Sequence, residues 1–155
     1  MRITARSDYA IRAVFDLAYH TGGGSATAEE VAGRQKISQR FLEQIFLKLR
    51  NSGVITSKRG PAGGYRLLKS PKEISLYDII ACVEGPIELV LCVSGEDEPE
   101  SGCGMQGECV ARFFWKEIGE KISSILKETS IEDLCLKAER KGLERASSAR
   151  LTYEI

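Results

Sequence analysis

The feature that most constrains the fold is the run from Thr27 to Leu68, TAEEVAGRQKISQRFLEQIFLKLRNSGVITSKRGPAGGYRLL. Thr27 followed by Glu30 is a capping-box pattern that opens a short helix through Gln35, with Val31 and Ala32 as its buried side. A break at Lys36 and Ile37 precedes Ser38, which is placed to cap a longer helix. In that helix Phe41, Leu42, Ile45, Phe46 and Leu49 form an apolar stripe, while Gln39, Arg40, Glu43, Gln44 and Lys48 face outward. A short helix, a tight turn and a longer helix with a polar outer face make a helix-turn-helix. Gln and Arg side chains can pair with base edges in a major groove, and Glu43 can accept from a cytosine amine. Asn51, Ser52 and Gly53 then stop the helix, and VITSK and YRLL read as two strands joined by a Gly-rich turn. Lys58 and Arg59 flank the tip of this wing, where Gly60, Gly63 and Gly64 let backbone approach phosphates and Arg59 can enter a narrow minor groove. Tyr65, which opens the return strand, completes the expected DNA-contact set.

Charge points the same way. The 22 Lys or Arg balance the 22 Asp or Glu overall, but residues 1–70 carry 12 against 5, net +7, and residues 71–155 carry 10 against 17, net −7. A polyanion would meet the first half and be repelled by the second. Ahead of the helix-turn-helix, Ser7 is positioned to cap a helix over 8–20 with Ile11, Val14, Phe15 and Ala18 on its inner face, ending at Gly22 to Gly24. The N-terminus lacks a signal peptide's long apolar stretch, since Arg12 and Asp16 interrupt it, and no apolar run approaches the roughly 20 residues of a spanning helix. A cytoplasmic location with no membrane partner is the expectation.

In the second half Ser75 caps an amphipathic helix, LYDIIACVEG, with Leu76, Ile79, Ile80 and Val83 inward and Cys82 as a small core residue. The stretch from Glu84 to Ala111 then holds seven acidic residues and no Lys or Arg, and reads as a loop. Cys92, Cys103 and Cys109 occur there as C-x10-C-x5-C, with glycines at 95, 102, 104 and 107 to let backbone fold around a centre. Soft thiolates on such a loop suit an iron-sulfur cluster or zinc, and three of them leave a four-ligand site one short. Beyond the loop, Val110, Phe113, Phe114, Ile118, Ile122, Ile125 and Leu126 give one long helix a broad apolar face, which suggests burial against a second subunit. Ser130 caps a last helix containing Cys135, and the polar tail beyond Gly142 is expected to be flexible. The chain shows no Cys-x-x-Cys pair, nucleotide loop or catalytic His/Asp constellation, which argues against an enzyme.

MRIT, then FLEQIFLKLRNSGVITSKRGPAGGYRL, then the cysteine segment together resemble the IscR/NsrR/CymR family, the Rrf2 class of bacterial winged-helix transcription regulators, over most of residues 1–130. The resemblance implies that the helix from Ser38 to Arg50 enters the major groove, that Arg59 reaches the minor groove, and that Glu43 and Gln44 read bases. It also implies a cluster on the three cysteines. IscR-type members place a His three residues after the last of these; here Arg112 stands there, and the sole His is His20. NsrR-type members use an Asp near the N-terminus of the other subunit, a position matched by Asp8. The expectation is therefore a homodimeric regulator, a repressor by preference, acting on a roughly palindromic double-stranded operator. A [2Fe-2S] cluster is favoured over [4Fe-4S], held by Cys92, Cys103, Cys109 and Asp8 of the other subunit and sensing cluster status, redox or nitric oxide. Target genes of iron-sulfur biogenesis, nitric-oxide stress or cysteine metabolism follow from the resemblance alone. The same DNA module using thiols or zinc without iron stays open, as does, more remotely, an iron-sulfur carrier or redox protein. The fold class is mainly α with a small β-hairpin. Residues 1–84 form the winged helix-turn-helix domain, 85–109 the cluster loop, 110–141 the dimerisation helix and its successor, and 142–155 the tail.

Overall fold

A computed structural model describes residues 4–60, 63–90, 93 and 108–146. In chain order it comprises α1 (Ala5–His20), α2 (Ala28–Gln35), α3 (Gln39–Asn51), β1 (Ile55–Lys58), β2 (Gly64–Leu67), a 3-10 turn (Pro71–Glu73), α4 (Leu76–Glu84), α5 (Val110–Glu128) and α6 (Ile131–Arg140). The fold is mainly helical, with a single antiparallel hairpin among the described residues.

Helix α1 is the hub of the core. It starts earlier than expected: Thr4 is the N-cap and its side chain accepts from the Ser7 backbone N–H at 3.3 Å, while Ser7 itself is buried. Besides Ser7 its buried residues are Ala10, Ala13, Val14, Asp16, Leu17 and Tyr19, whereas Ile11, Phe15 and Ala18 are only half-buried. A single inner stripe fails as a description because α1 packs against α2, α3, α4 and α6, and its alanines permit close approach on several sides. Val31 of α2, Leu42, Ile45, Phe46 and Leu49 of α3, Ile79 and Val83 of α4 and Ile131 of α6 complete the core. Each large side chain among them contributes about 1.5–3 kcal/mol by leaving water.

The expected capping box of α2 is present, with Glu30 N–H donating to Thr27 and Thr27 N–H donating to the Glu30 carboxylate at 2.7 Å. Lys36 ends α2 at φ 56°, and buried Ile37 carries the chain to Ser38. Ser38 occupies the N-cap of α3, but its hydroxyl makes no capping hydrogen bond; the cap is positional only. The hairpin pairs Ile55 with Leu67 through Lys58 with Gly64. Ala26, just before α2, exchanges two backbone hydrogen bonds with Tyr65, of 2.7 and 3.0 Å, so the wing is fastened to the helix-turn-helix.

Ser75 caps α4 as expected, with Ile79, Ile80 and Val83 buried and Leu76 half-buried. Ser130 and Asp133 form the box that starts α6, which docks beside α4 through Leu76 N–H to Thr129 O and Ile131 N–H to Ile74 O, both 2.9 Å. Cys82 and Cys135 are half-buried against the core, and burial pushes the Cys135 thiol pKa up. The start of the tail is tied to α1. Tyr19 Oη donates to Leu143 O at 2.6 Å, Ala146 N–H donates to His20 Nδ1 at 2.9 Å, and Arg145 lies over the Tyr19 ring. Residues 147–155 lie outside the described part.

Candidate nucleic-acid interface and cysteine centre

On α3 the stripe of Leu42, Ile45, Phe46 and Leu49 is buried, which turns Gln39, Arg40, Glu43 and Gln44 outward together. Gln39 Nε2 donates to Glu43 Oε1 at 3.0 Å, an i,i+4 pair that orients both amide and carboxylate at the front of the helix. Arg40 and Gln44 form the adjacent exposed row, and Ser38 is exposed at its start. Lys48 is exposed as well, but its Nζ also donates to Val83 O at 2.7 Å, a bond the other outward residues of this row lack.

In the wing, Lys58, Arg59 and Gly60 are exposed. Strand alternation and the Thr56–Arg66 register place Arg66 on the same outer face as Lys58. Arg66 was not among the residues expected from sequence, although alternation about an inward Tyr65 would have found it. Tyr65 packs its ring on Phe46 at 4.4 Å between centroids, and so serves the wing's attachment. Gly63 and Gly64 are demanded by the fold as well. A Cβ on Gly64 would sit 2.6 Å from Ala26 O, and one on Gly63 would sit 2.4 Å from Lys58 O.

An unforeseen group holds this unit together. The Asp16 carboxylate has no exposed surface, yet it accepts from Arg34 Nε at 3.1 Å, Arg34 Nη2 at 2.6 Å and Gln35 Nε2 at 2.9 Å. Its hydrogen bond is the main reason that the Arg34 pKa is raised. Arg12 adds a second tie from α1, donating to the Gln35 carbonyl and side chain. The end of α2, where the chain turns toward α3, is thereby pinned to α1 by charge-assisted bonds.

Of the expected metal ligands, Cys92 and Cys103 lie outside the described residues. Cys109 is a half-buried free thiol at the N-cap of α5. Asp8 is exposed in the first turn of α1 and held there by Arg12 at 3.4 Å. The α1 N-cap, Thr4, donates to the Glu84 carboxylate at the end of α4. His20 closes the other end of α1, about 18 Å along the axis from Asp8, and its Nδ1 is occupied by Ala146. Among the described residues no three His, Cys, Asp or Glu side chains cluster so as to hold a metal ion.

Helix α5, about 28 Å long, buries none of its 19 residues. Val110, Phe113, Phe114 and Ile125 are exposed, the last two by 54% and 63%, and Ile118, Ile122 and Leu126 are half-buried. No described helix is long and apolar enough to cross a membrane.

Comparison with known proteins agrees with this architecture. Residues 3–137 match the Rrf2 family, described as an iron-dependent transcriptional regulator. The chain is 34% identical over 134 residues to the HTH-type transcriptional regulator IscR of Photorhabdus laumondii, covering 86% of this chain and 79% of that protein. Among solved structures, it resembles IscR of T. potens with a TM-score of 0.74 at 28% identity, covering 94% of each chain. It resembles CymR, the global cysteine regulator of B. subtilis, with a TM-score of 0.72 at 32% identity, covering 88% of this chain and 98% of that one. A buried helix-turn-helix frame, an outward polar row on α3 and a fastened basic wing thus recur in a chain that belongs to the Rrf2 family of transcriptional regulators, a DNA-binding regulator and not an enzyme.

Proposed function

We propose that the chain acts as a homodimer, a repressor by preference, whose affinity for a roughly palindromic operator responds to an iron-sulfur cluster held by Cys92, Cys103 and Cys109 with Asp8 of the partner subunit. The observation that carries this reading is α5: a helix with no buried residue and a run of exposed aromatics needs a cover, and it begins at Cys109. A cover supplied by a second copy would bring two recognition helices to one duplex and bury the apolar face at the end of the cysteine segment.

At the DNA, Arg40 and Gln44 offer paired hydrogen bonds to base edges, and Glu43, oriented by Gln39, accepts from a cytosine amine. Arg59 enters the minor groove, while Lys58 and Arg66 on the wing's outer face meet phosphates. The donor set suits a cluster in type: Cys109 is in no disulfide, and Asp8 is exposed with only a 3.4 Å ion pair to give up. When bound, such a group supplies iron that gains or loses an electron and reacts with nitric oxide. The chain's own part is mechanical. A loop ligated together with Asp8 of the partner subunit ties the first helix of one DNA-binding unit to the dimer core. [2Fe-2S] is the favoured form and [4Fe-4S] the alternative, with target genes for cluster biogenesis or stress defence.

The likeness to a cysteine regulator favours a second reading, in which the same cysteines act as thiols or bind zinc without iron. Anaerobic purification with a visible absorption spectrum and iron, sulfide and zinc analysis separates the two. The first reading expects a brown protein whose iron and sulfide are lost in the Cys103→Ala variant. A colourless protein that holds zinc or no metal after anaerobic reconstitution would overturn it in favour of the second.

A further inference from the structure

Base-reading residues of α3 lie at its front, from Ser38 to Gln44, whereas Lys48 stands further back and turns away to another helix. Its Nζ lies 2.7 Å from the carbonyl of Val83, in the last turn of α4. Carbonyls in a last turn lack intrahelical partners, and a cation there is also aligned with the helix dipole. The next residue, Glu84, accepts from Thr4 at the cap of α1, and Gly85, at φ 88°, then begins the cysteine segment. One turn of α4 therefore grips the rear of the recognition helix and the start of the first helix. The apolar stripe of α3 fixes how deep the helix sits, but apolar contacts are non-directional and resist rolling or sliding weakly. A charge-assisted hydrogen bond is directional, so it sets the angle at which Gln39 to Gln44 are presented.

We infer that Lys48 is a positioning residue for sequence reading, not a phosphate contact: by clamping α3 to the last turn of α4 it fixes the angle at which the recognition helix is presented. This rests on the DNA-reading role of α3 given above. The two roles differ in measurable ways. A lost phosphate contact weakens binding to every duplex and lowers the slope of log affinity against log salt by about 0.9 per contact. A lost clamp spares the salt slope and the affinity for unrelated duplexes, and weakens binding to the preferred sequence alone.

The test uses the full chain, a duplex selected by it from a random pool, and a scrambled duplex of equal length, with affinities measured across a salt series. Lys48→Met, which keeps the apolar stem but cannot donate, is expected to weaken binding to the selected duplex about tenfold. Affinity for the scrambled duplex and both salt slopes should stay unchanged. Lys48→Arg, which can donate to the same carbonyl, should restore discrimination. Equal losses on both duplexes with a shallower slope would overturn the inference in favour of a phosphate contact. An unchanged specificity ratio in a Lys48→Met protein that merely melts at lower temperature would overturn it in favour of a purely stabilising role. Failure of the unaltered chain to show salt-dependent binding to either duplex would overturn the DNA-reading role itself, and the positioning role with it.

Discussion

Asp16 has no exposed surface and faces two donors on one neighbouring helix, so its removal would leave the Arg34 guanidinium beside an apolar core without its anion. Breaking a buried pair by deleting one partner costs about 3–5 kcal/mol. Asp16→Ala is therefore expected to lower unfolding free energy by an amount of that order in urea titrations, and a loss below about 1 kcal/mol would contradict the role assigned to it. His20 yields a pH dependence. Burial, the largest cause, lowers its pKa below 6.5, and the nearby Arg34 and Arg145 add to this while Asp16 opposes it. The folded state thus favours the neutral ring, whose Nδ1 accepts from Ala146. The contribution is complete above pH 6.5 and is lost as pH falls from there through the lowered folded value. The Ala146 amide resonance should move toward its unstructured position across that window in the wild type and be insensitive to pH in His20→Gln. An Ala146 signal constant in the wild type from pH 7 down to the acid limit of the folded state would contradict the hydrogen bond to His20. Neither residue announced itself in sequence: an acid between Phe15 and Leu17 reads as an interruption of an apolar face, and the hydrogen-bond partner of His20 lies 126 residues away.

Among the elements, the wing makes the sharpest demands. Gly64 combines φ 137° with backbone 2.6 Å from where a Cβ would stand, so Gly64→Ala must displace β2 from Ala26. Such strain costs about 1–3 kcal/mol. DNA affinity should fall more than thermal stability does, because the displaced strand carries Arg66 and faces Lys58. Wild-type affinity in a folded Gly64→Ala protein would contradict this. The roles proposed for α3 and the wing also separate by substitution. Glu43→Ala should relax base preference in a selection from random duplexes, and Arg59→Ala should weaken all duplexes and reduce the salt slope by about 0.9 per site. Most elements were legible because their signals are local: the Thr27–Glu30, Ser75–Asp78 and Ser130–Asp133 boxes each join residues three apart. Ser7 misled because Thr4 offers the same hydroxyl three residues earlier, and the backbone N–H of Ser7 is the one that Thr4 caps. The bond from Lys48 to Val83 was illegible because the two lie 35 residues apart, beyond any periodicity.

Across the whole molecule the described chain comprises a packed winged helix-turn-helix, α6 docked beside α4, and α5, which meets α4 and leaves an apolar face exposed. An acidic group placed in that exposed face, as in Phe113→Asp with Ile125→Glu, should convert a dimer to a folded monomer in sedimentation at micromolar concentration. An unchanged dimer would move the interface elsewhere. The proposed cysteine centre was legible as composition and spacing, while its proposed ligand set calls on a second subunit and on Cys92 and Cys103, outside the described residues. The central claim is that the state of that centre changes DNA affinity. It is tested most directly by anaerobic binding titrations on a labelled duplex selected from a random pool, using protein as purified and after metal removal by a chelator. Affinities at least about tenfold apart are expected, within the range of coupling between sites in known switches, with binding in both states falling steeply as salt rises. Superimposable curves from a brown, iron-containing sample and its colourless counterpart would contradict it.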